Sequence, residues 1–189
     1  MRRKKFLPKK RRMDGKTNYK KRLKLIGSKK HRLVIRKMLN SISVQFISYH
    51  PDGDKVDISY DAKSLKKLGW NAHKGNTSSA YLTGLVCGLK AKNKIKEAIL
   101  DIGLNPSTKG STLYAALKGV LDAGVKIPHS EEVLPKENRI KGLHIEEYAK
   151  KIPKDKYKKQ FYDYIKNNIK PEEISKHFEE IKSKIMKGA

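Results

Sequence analysis

The chain of 189 residues contains a single cysteine, Cys87, so an internal disulfide framework and a cysteine-based zinc knuckle are both excluded. Set in an apolar stretch, Cys87 reads as a small buried hydrophobe. No uninterrupted apolar run is long enough to cross a bilayer. None follows the first basic residues either, so neither a membrane role nor a secretory leader is expected, and an intracellular protein is. The patterns HExxH, GxSxG, GxGxxG and GxxxxGKS are all missing. The histidines (His31, His50, His73, His129, His144 and His177) are dispersed, and His144 next to Glu146 and Glu147 does not make a ligand set. No catalytic residue, metal or cofactor is therefore expected. The largest deficit is in acid: 19 Asp and Glu face 45 Lys and Arg, a formal charge of +26. Solubility does not need so much self-repulsion, which weakens a compact state unless a polyanion screens it. Nucleic acid is the expected partner. A hydrophobic fraction of 37% still supports one real core, which excludes a wholly disordered basic tail.

The excess charge is concentrated at one end. Residues 1–30 hold 15 basic side chains and one acidic one. This leader, with Pro8 and Gly15 and little apolar period, is expected to be extended alone in water and to be ordered against phosphates. A short helix is expected within 17–26, with Tyr19, Leu23 and Ile26 on one side. Phe6, Leu7 and Tyr19 are available to pack on bases, sugars or the protein body. Most of the cations are lysines, suited to a broad phosphate field. The eight arginines are the groups for bidentate contacts.

From His31 the texture becomes that of a folded body. HRLVIRK, SISVQFIS and KVDISYD alternate as three strands, with PDGD as the second turn, and read as an antiparallel meander. Leu33 and Ile35, then Ile42, Val44 and Phe46, then Val56, Ile58 and Tyr60 form the inward faces, and a polar, basic outward face is expected as a nucleic-acid platform. A short helix over 62–68 precedes an exposed Gly69–Trp70. Asn76, Thr77 and Ser78 are cap candidates for a helix with Tyr81, Leu82, Leu85, Val86 and Leu89 inward. Gly84 and Gly88 are expected to bring that helix close to the sheet. EAILDIG is a fourth strand, expected to be parallel, and leads through LNPSTKGS to a helix at 111–122. Lys109, Gly110 and Ser111 are placed where a helix start can hold a phosphate. VKIPHS offers at most a short fifth strand. The last third reads as satellite helices: one over 135–151, one marked by Tyr157, Phe161, Tyr164 and Ile165, and one with Ile174, Phe178, Ile181 and Ile185 as a stripe that needs a partner surface.

The expected fold class is α/β: a mixed sheet of antiparallel meander plus parallel strand packed on helices, with a basic extended N-terminus and a helical C-terminal region. The boundaries are 1–30 for the basic extension, 31–130 for the body and 131–189 for the helical region.

Six stretches carry a resemblance: KRRMDGKTNYKKRLKLI, HRLVIRK, GNTSSAYLTGLVCGLKA, EAILDIGLNPSTKGS, GVLDAGVKIPHSEEVLP and KGLHIEEYAK. In this order they resemble the archaeal 5S rRNA-binding ribosomal protein family of the large subunit, L-eighteen, whose eukaryotic counterpart is L-five. The match runs over about residues 6–150 and thins after Lys151. The resemblance implies a ribosomal component, cytoplasmic, that holds 5S rRNA in the central protuberance beside 23S rRNA and neighbouring large-subunit proteins. It assigns RNA binding to Arg11, Arg12, Lys16, Tyr19, Lys20, Arg22 and Lys24, extends to Arg32 and Arg36 through the strand motif, and includes Asn76 in a matched segment. Tyr19 and Trp70 are the candidates for stacking on a base. Two alternatives stand beside it. One is a general RNA-binding protein. The other is a metal-dependent RNA-processing nuclease of ribonuclease-H-like order, with Asp57, Asp61, Asp101 and Asp122 as its carboxylates.

Overall fold

The computed structural model describes residues 7–188, so Phe6 lies outside the described residues. Three strands, β1 (His31–Lys37), β2 (Ile42–Ser48) and β3 (Lys55–Asp61), form the expected meander. β4 (Ala98–Asp101) returns parallel to β1, giving the sheet order β3-β2-β1-β4. The parallel pairing requires a crossover. It is supplied by a 3-10 helix, Ala62–Leu68, and a long helix, Thr77–Ala91. At VKIPHS only an isolated bridge forms, from Glu97 to Lys126.

Two helices precede the sheet, α1 (Lys10–Met13) and α2 (Tyr19–Ile26), and the crossover helix is α3. α2 falls within the 17–26 expected to be helical, and α1 adds a single turn at Lys10–Met13. Asn18 accepts a hydrogen bond from the Lys21 amide at 3.0 Å and caps α2. α4 (Thr112–Asp122) follows β4 and ends at Gly124, whose φ is +101°.

One sheet face is apolar, with Leu33, Ile35, Ile42, Val44 and Phe46 fully buried. α3 and α4 cover it. α3 is buried almost all round, and Thr83 donates to the Ser79 carbonyl within the helix at 2.7 Å. Cys87 is fully buried, and burial pushes its thiol up to about 12.

The glycines of α3 serve a different contact from the one expected. A Cβ on Gly84 would stand 2.0 Å from the Ala116 carbonyl oxygen, and one on Gly88 2.7 Å from the Ala123 methyl group. Both belong to the α3–α4 crossing, not to the sheet. Gly119 answers from α4, where a Cβ would meet the Tyr81 carbonyl oxygen at 2.2 Å. Val56 also departs from its expected face and is 48% exposed. The pairing of β3 with β2 steps from Ile47–Val56 to Phe46–Ile58. This one-residue bulge turns Val56 outward while Ile58 stays inward.

The C-terminal third adds a further layer. α5 (Glu137–Lys141) and α6 (Leu143–Lys151) are two helices because Gly142 sits between them at φ +88°. α7 (Lys154–Gln160) and α8 (Tyr162–Lys166) bring Phe161 and Tyr164 into the core, while Ile165 is left 44% exposed. α9 (Ile174–Lys187) buries the whole stripe of Ile174, Phe178, Ile181 and Ile185. Its partner surface is the body itself: α3, α5, α6 and the 3-10 helix. Glu146 of α6 accepts the Ser175 amide at 2.8 Å and the Ser175 hydroxyl, which anchors the start of α9 from outside.

Trp70, expected to be exposed, is fully buried under α9. Its indole donates to the His73 carbonyl at 3.3 Å, and its ring stacks on His177 with centroids 5.2 Å apart.

Two outcomes are expected. Gly84→Ala forces the α3–α4 crossing apart and costs about 3 kcal/mol, the upper end of overpacking penalties, read as a lower urea midpoint at unchanged slope. The second concerns acid. Burial, with Lys184 acting in the same sense and Glu180 against it, holds the His177 imidazole below the usual histidine range. The unfolded chain then takes up this proton first as pH falls, so the contribution is complete above about pH 6.5 and is lost below it. His144 is depressed in the same direction, first by burial. Urea midpoints measured at about pH 7.5 and about pH 5 should fall less in His177→Phe than in the wild type.

Candidate nucleic-acid interface

The sheet face opposite α3 and α4 is where the leader lies. The outward side chains of β1 include two arginines, and a buried guanidinium is tolerated only with carboxylates in reach. Arg32 is 3% exposed and has two of them. It donates to Asp54, in the β2–β3 connection, at 2.5 Å and to Asp101, at the end of β4, at 3.3 Å. Asp101 also accepts from Arg36 at 3.1 Å, and its backbone carbonyl takes a second Arg36 nitrogen at 2.7 Å. Asp54 in turn holds Arg22 of α2 at 2.9 Å. The result is a continuous ladder, Arg22–Asp54–Arg32–Asp101–Arg36, that joins leader to sheet. Lys21 adds a bond to the Gly103 carbonyl at 3.2 Å.

Between leader and sheet runs a cleft of about 440 Å³, walled by Arg11, Lys16 and Arg22 on one side and by Arg32, Arg36 and the Gly103–Pro106 loop on the other. The sequence-derived residues are thus only partly brought together. Arg11, Lys16, Arg22, Arg32 and Arg36 meet at this cleft. Arg12, Lys20 and Lys24 are exposed on the leader, and no ion pair engages them among the described residues. Tyr19 lines a second groove on α2. Its ring carries the Lys9 ammonium 4.8 Å from its centroid. Lys16 pairs with Asp14, the leader's one acid, at 3.3 Å.

Two candidates lie away from the cleft. Asn76 caps α3, accepting the Ser79 amide at 2.8 Å. Lys109 reaches Glu132 at 2.6 Å, with both side chains well exposed. Ser111 is the N-cap residue of α4 but makes no side-chain capping bond.

The electrostatics differ from the expected basic platform. On the sheet the arginines are matched by Asp54 and Asp101, so the outward face is locally close to neutral. Uncompensated charge sits on the leader instead. Trp70 is removed as a stacking surface by its burial. Sequence reasoning also missed Asp54, Asn18 and Lys21. Asn18 was recoverable as a cap residue one place before an amphipathic turn. Asp54 was not, because it reads as an ordinary turn acid.

The carboxylates proposed for a two-metal site do not converge. Asp57 faces His31 at 3.6 Å, and Asp61 caps the 3-10 helix through the Lys63 amide at 2.8 Å. Asp101 belongs to the ladder, and Asp122 accepts the Tyr81 hydroxyl at 2.7 Å. Among the described residues no group of three or more His, Cys, Asp or Glu is arranged to hold a metal ion. No helix of the described residues is long and apolar enough to cross a membrane.

The ladder predicts a separation of effects. Asp101→Ala leaves buried Arg32 short of charge and is expected to cost about 3 kcal/mol of global stability, measured by chemical denaturation. Asp54→Ala releases α2 as well, so tryptic cleavage within residues 10–26 should accelerate relative to Asp101→Ala at matched stability.

Compared with known families, the chain matches the one described as ribosomal large subunit proteins 60S L5, and 50S L18, over residues 4–99 and 89–130. The chain belongs to that family. It is a ribosomal, RNA-binding protein of the translation machinery rather than an enzyme.

Proposed function

From that membership we propose that the protein is the archaeal-type structural component that binds 5S rRNA and anchors it to 23S rRNA in the central protuberance, on cytoplasmic ribosomes, next to neighbouring large-subunit proteins. The observation that carries the reading is the leader. It holds 15 basic residues against one acid in its 30 residues, and it is fixed to a folded body by the Arg22–Asp54 pair at 2.9 Å. Flexible cations bind any polyanion. Cations held on short helices across one face of a rigid sheet present a fixed spacing, and folded RNA is recognised through the spacing of its phosphates and 2′-hydroxyls.

The residues then take distinct roles. Arg11 and Arg12 are exposed guanidinium groups suited to bidentate phosphate contacts. Lys16, Lys20 and Lys24 supply a broad field that displaces condensed counterions. Tyr19, with the Lys9 ammonium over its ring, joins the basic surface. Arg22, Arg32 and Arg36 hold the platform in place, with Arg36 the most open of the three at 41% side-chain exposure. Asn76 and Lys109 lie at helix starts that suit secondary phosphate contacts.

A general RNA-binding protein has the same charge but no preference among folded RNAs. Filter binding of 5S rRNA and an unrelated RNA of equal length, each at several salt concentrations, separates the two readings. Preference for 5S rRNA at moderate ionic strength is expected. Replacing Arg11 and Arg12 with Glu should weaken 5S rRNA binding at least about tenfold and flatten the salt slope by about 2, with the melting temperature unchanged. Equal affinity for both RNAs would leave only the general reading.

A further inference from the structure

The second groove runs along the side of α2 away from the cleft. Its lining includes Lys9, Arg11, Tyr19 and Arg22 together with Leu23 and Tyr49. Its volume is about 620 Å³. Two features set it apart from the cleft. Its lining contains arginine and lysine but no carboxylate, whereas the cleft contains Asp54 and Asp101. It also exposes apolar surface at a cost: Leu23 is 72% exposed and Tyr49 52% exposed. Tyr49 directly follows β2, so its backbone is fixed by the sheet while its ring stands at the surface.

Phosphate alone has no use for an exposed leucine and a tyrosine face, and a purely apolar ligand has no use for three cations. A ligand with a flat, partly apolar body and an attached negative charge satisfies both. We propose that this groove takes one unpaired nucleotide of the bound RNA, its base stacked on Tyr49 and flanked by Leu23, its phosphate held by Lys9 and Arg11. The inference rests on the RNA-binding reading above and adds Tyr49, Leu23 and Lys9 to the site. Arg22 links the two surfaces. Its guanidinium is tied to Asp54 on the cleft side and forms part of the groove wall on the other, so that α2 separates the arginine- and aspartate-lined cleft from the groove.

The test uses the full chain and 5S rRNA. Tyr49→Ala should lower affinity roughly 5- to 150-fold, the range for losing one base–aromatic stack, and leave the salt slope at its wild-type value because no charge is removed. Tyr49→Phe should retain wild-type affinity. Photo-crosslinking of 5S rRNA substituted with 4-thiouridine should yield an adduct on the peptide carrying Tyr49 or Leu23, and the adduct should disappear with Leu23→Asn. A melting temperature unchanged in Tyr49→Ala shows that the loss is not one of folding. Normal 5S rRNA binding by the wild type with undiminished affinity in Tyr49→Ala would overturn the groove assignment and leave the RNA-binding reading intact. Loss of self-association or of ribosomal-protein binding in that variant, with RNA affinity retained, would assign the groove to a protein contact and overturn it as well. Failure of the wild type to bind 5S rRNA would overturn both.

Discussion

Arg32 lies in the middle of a sheet at 3% exposure, and a guanidinium in that position is stable only if carboxylates reach it from both sides. Asp101 comes from the neighbouring parallel strand and Asp54 from the far end of the meander. Each acid then has charge left for another arginine, Arg36 in one case and Arg22 in the other. The leader's position follows from this arrangement. Without Asp54 there is no charged partner on the sheet for Arg22, and α2 has no buried residue of its own with which to dock. The attachment is electrostatic and geometrically fixed.

The ladder also sorts the cations by function. Arginines can share two acids through a planar fork, so they are used where charge must be buried. Lysines are compact, strongly hydrated points, and those of the leader among the described residues stay exposed. A basic protein bound for an RNA surface needs both kinds. The matched charges let a strongly cationic chain fold, and the unmatched ones retain their interaction energy for the polyanion. The neutral sheet face and the cationic leader are two results of the same sorting.

Behind the sheet, the structure depends on close approach. Gly84, Gly88 and Gly119 let α3 and α4 touch backbone to backbone, which buries α3 so completely that its far side becomes a floor for α9. The Trp70–His177 stack and the Glu146–Ser175 bonds join the C-terminal layer to that floor. The stripe at Ile174, Phe178, Ile181 and Ile185 is thus part of the same hydrophobic core as Leu33 and Ile35.

Much of the local pattern was legible, though not the break at Gly142 that divides the expected helix over 135–151 in two. Period-two alternation marks β1 and β2, Asn76 caps α3, Gly124 stops α4, and the spacing of the α9 stripe gives its buried face. These features depend on residues within one or two turns of each other, and sequence order preserves that proximity. The same order gives the charge asymmetry and hence the class of partner. Pairings across distance were not legible. Asp54 looks like any turn acid until β2 and β3 bring it over Arg32. Gly84 and Gly88 announce a close approach without naming α4 as the surface approached. Val56 keeps its alternation in the sequence, but one bulge opposite Phe46 and Ile47 turns it out. Trp70 sits between Gly69 and Asn71, polar-looking neighbours, and is buried only because a helix more than a hundred residues later folds over it. By itself the sequence determined composition, local elements and the sign of the partner. Only the tertiary structure decided which cations are spent inside the protein and which remain for RNA, because neutralising a buried charge depends on distance in space, and separation along the chain does not fix that distance.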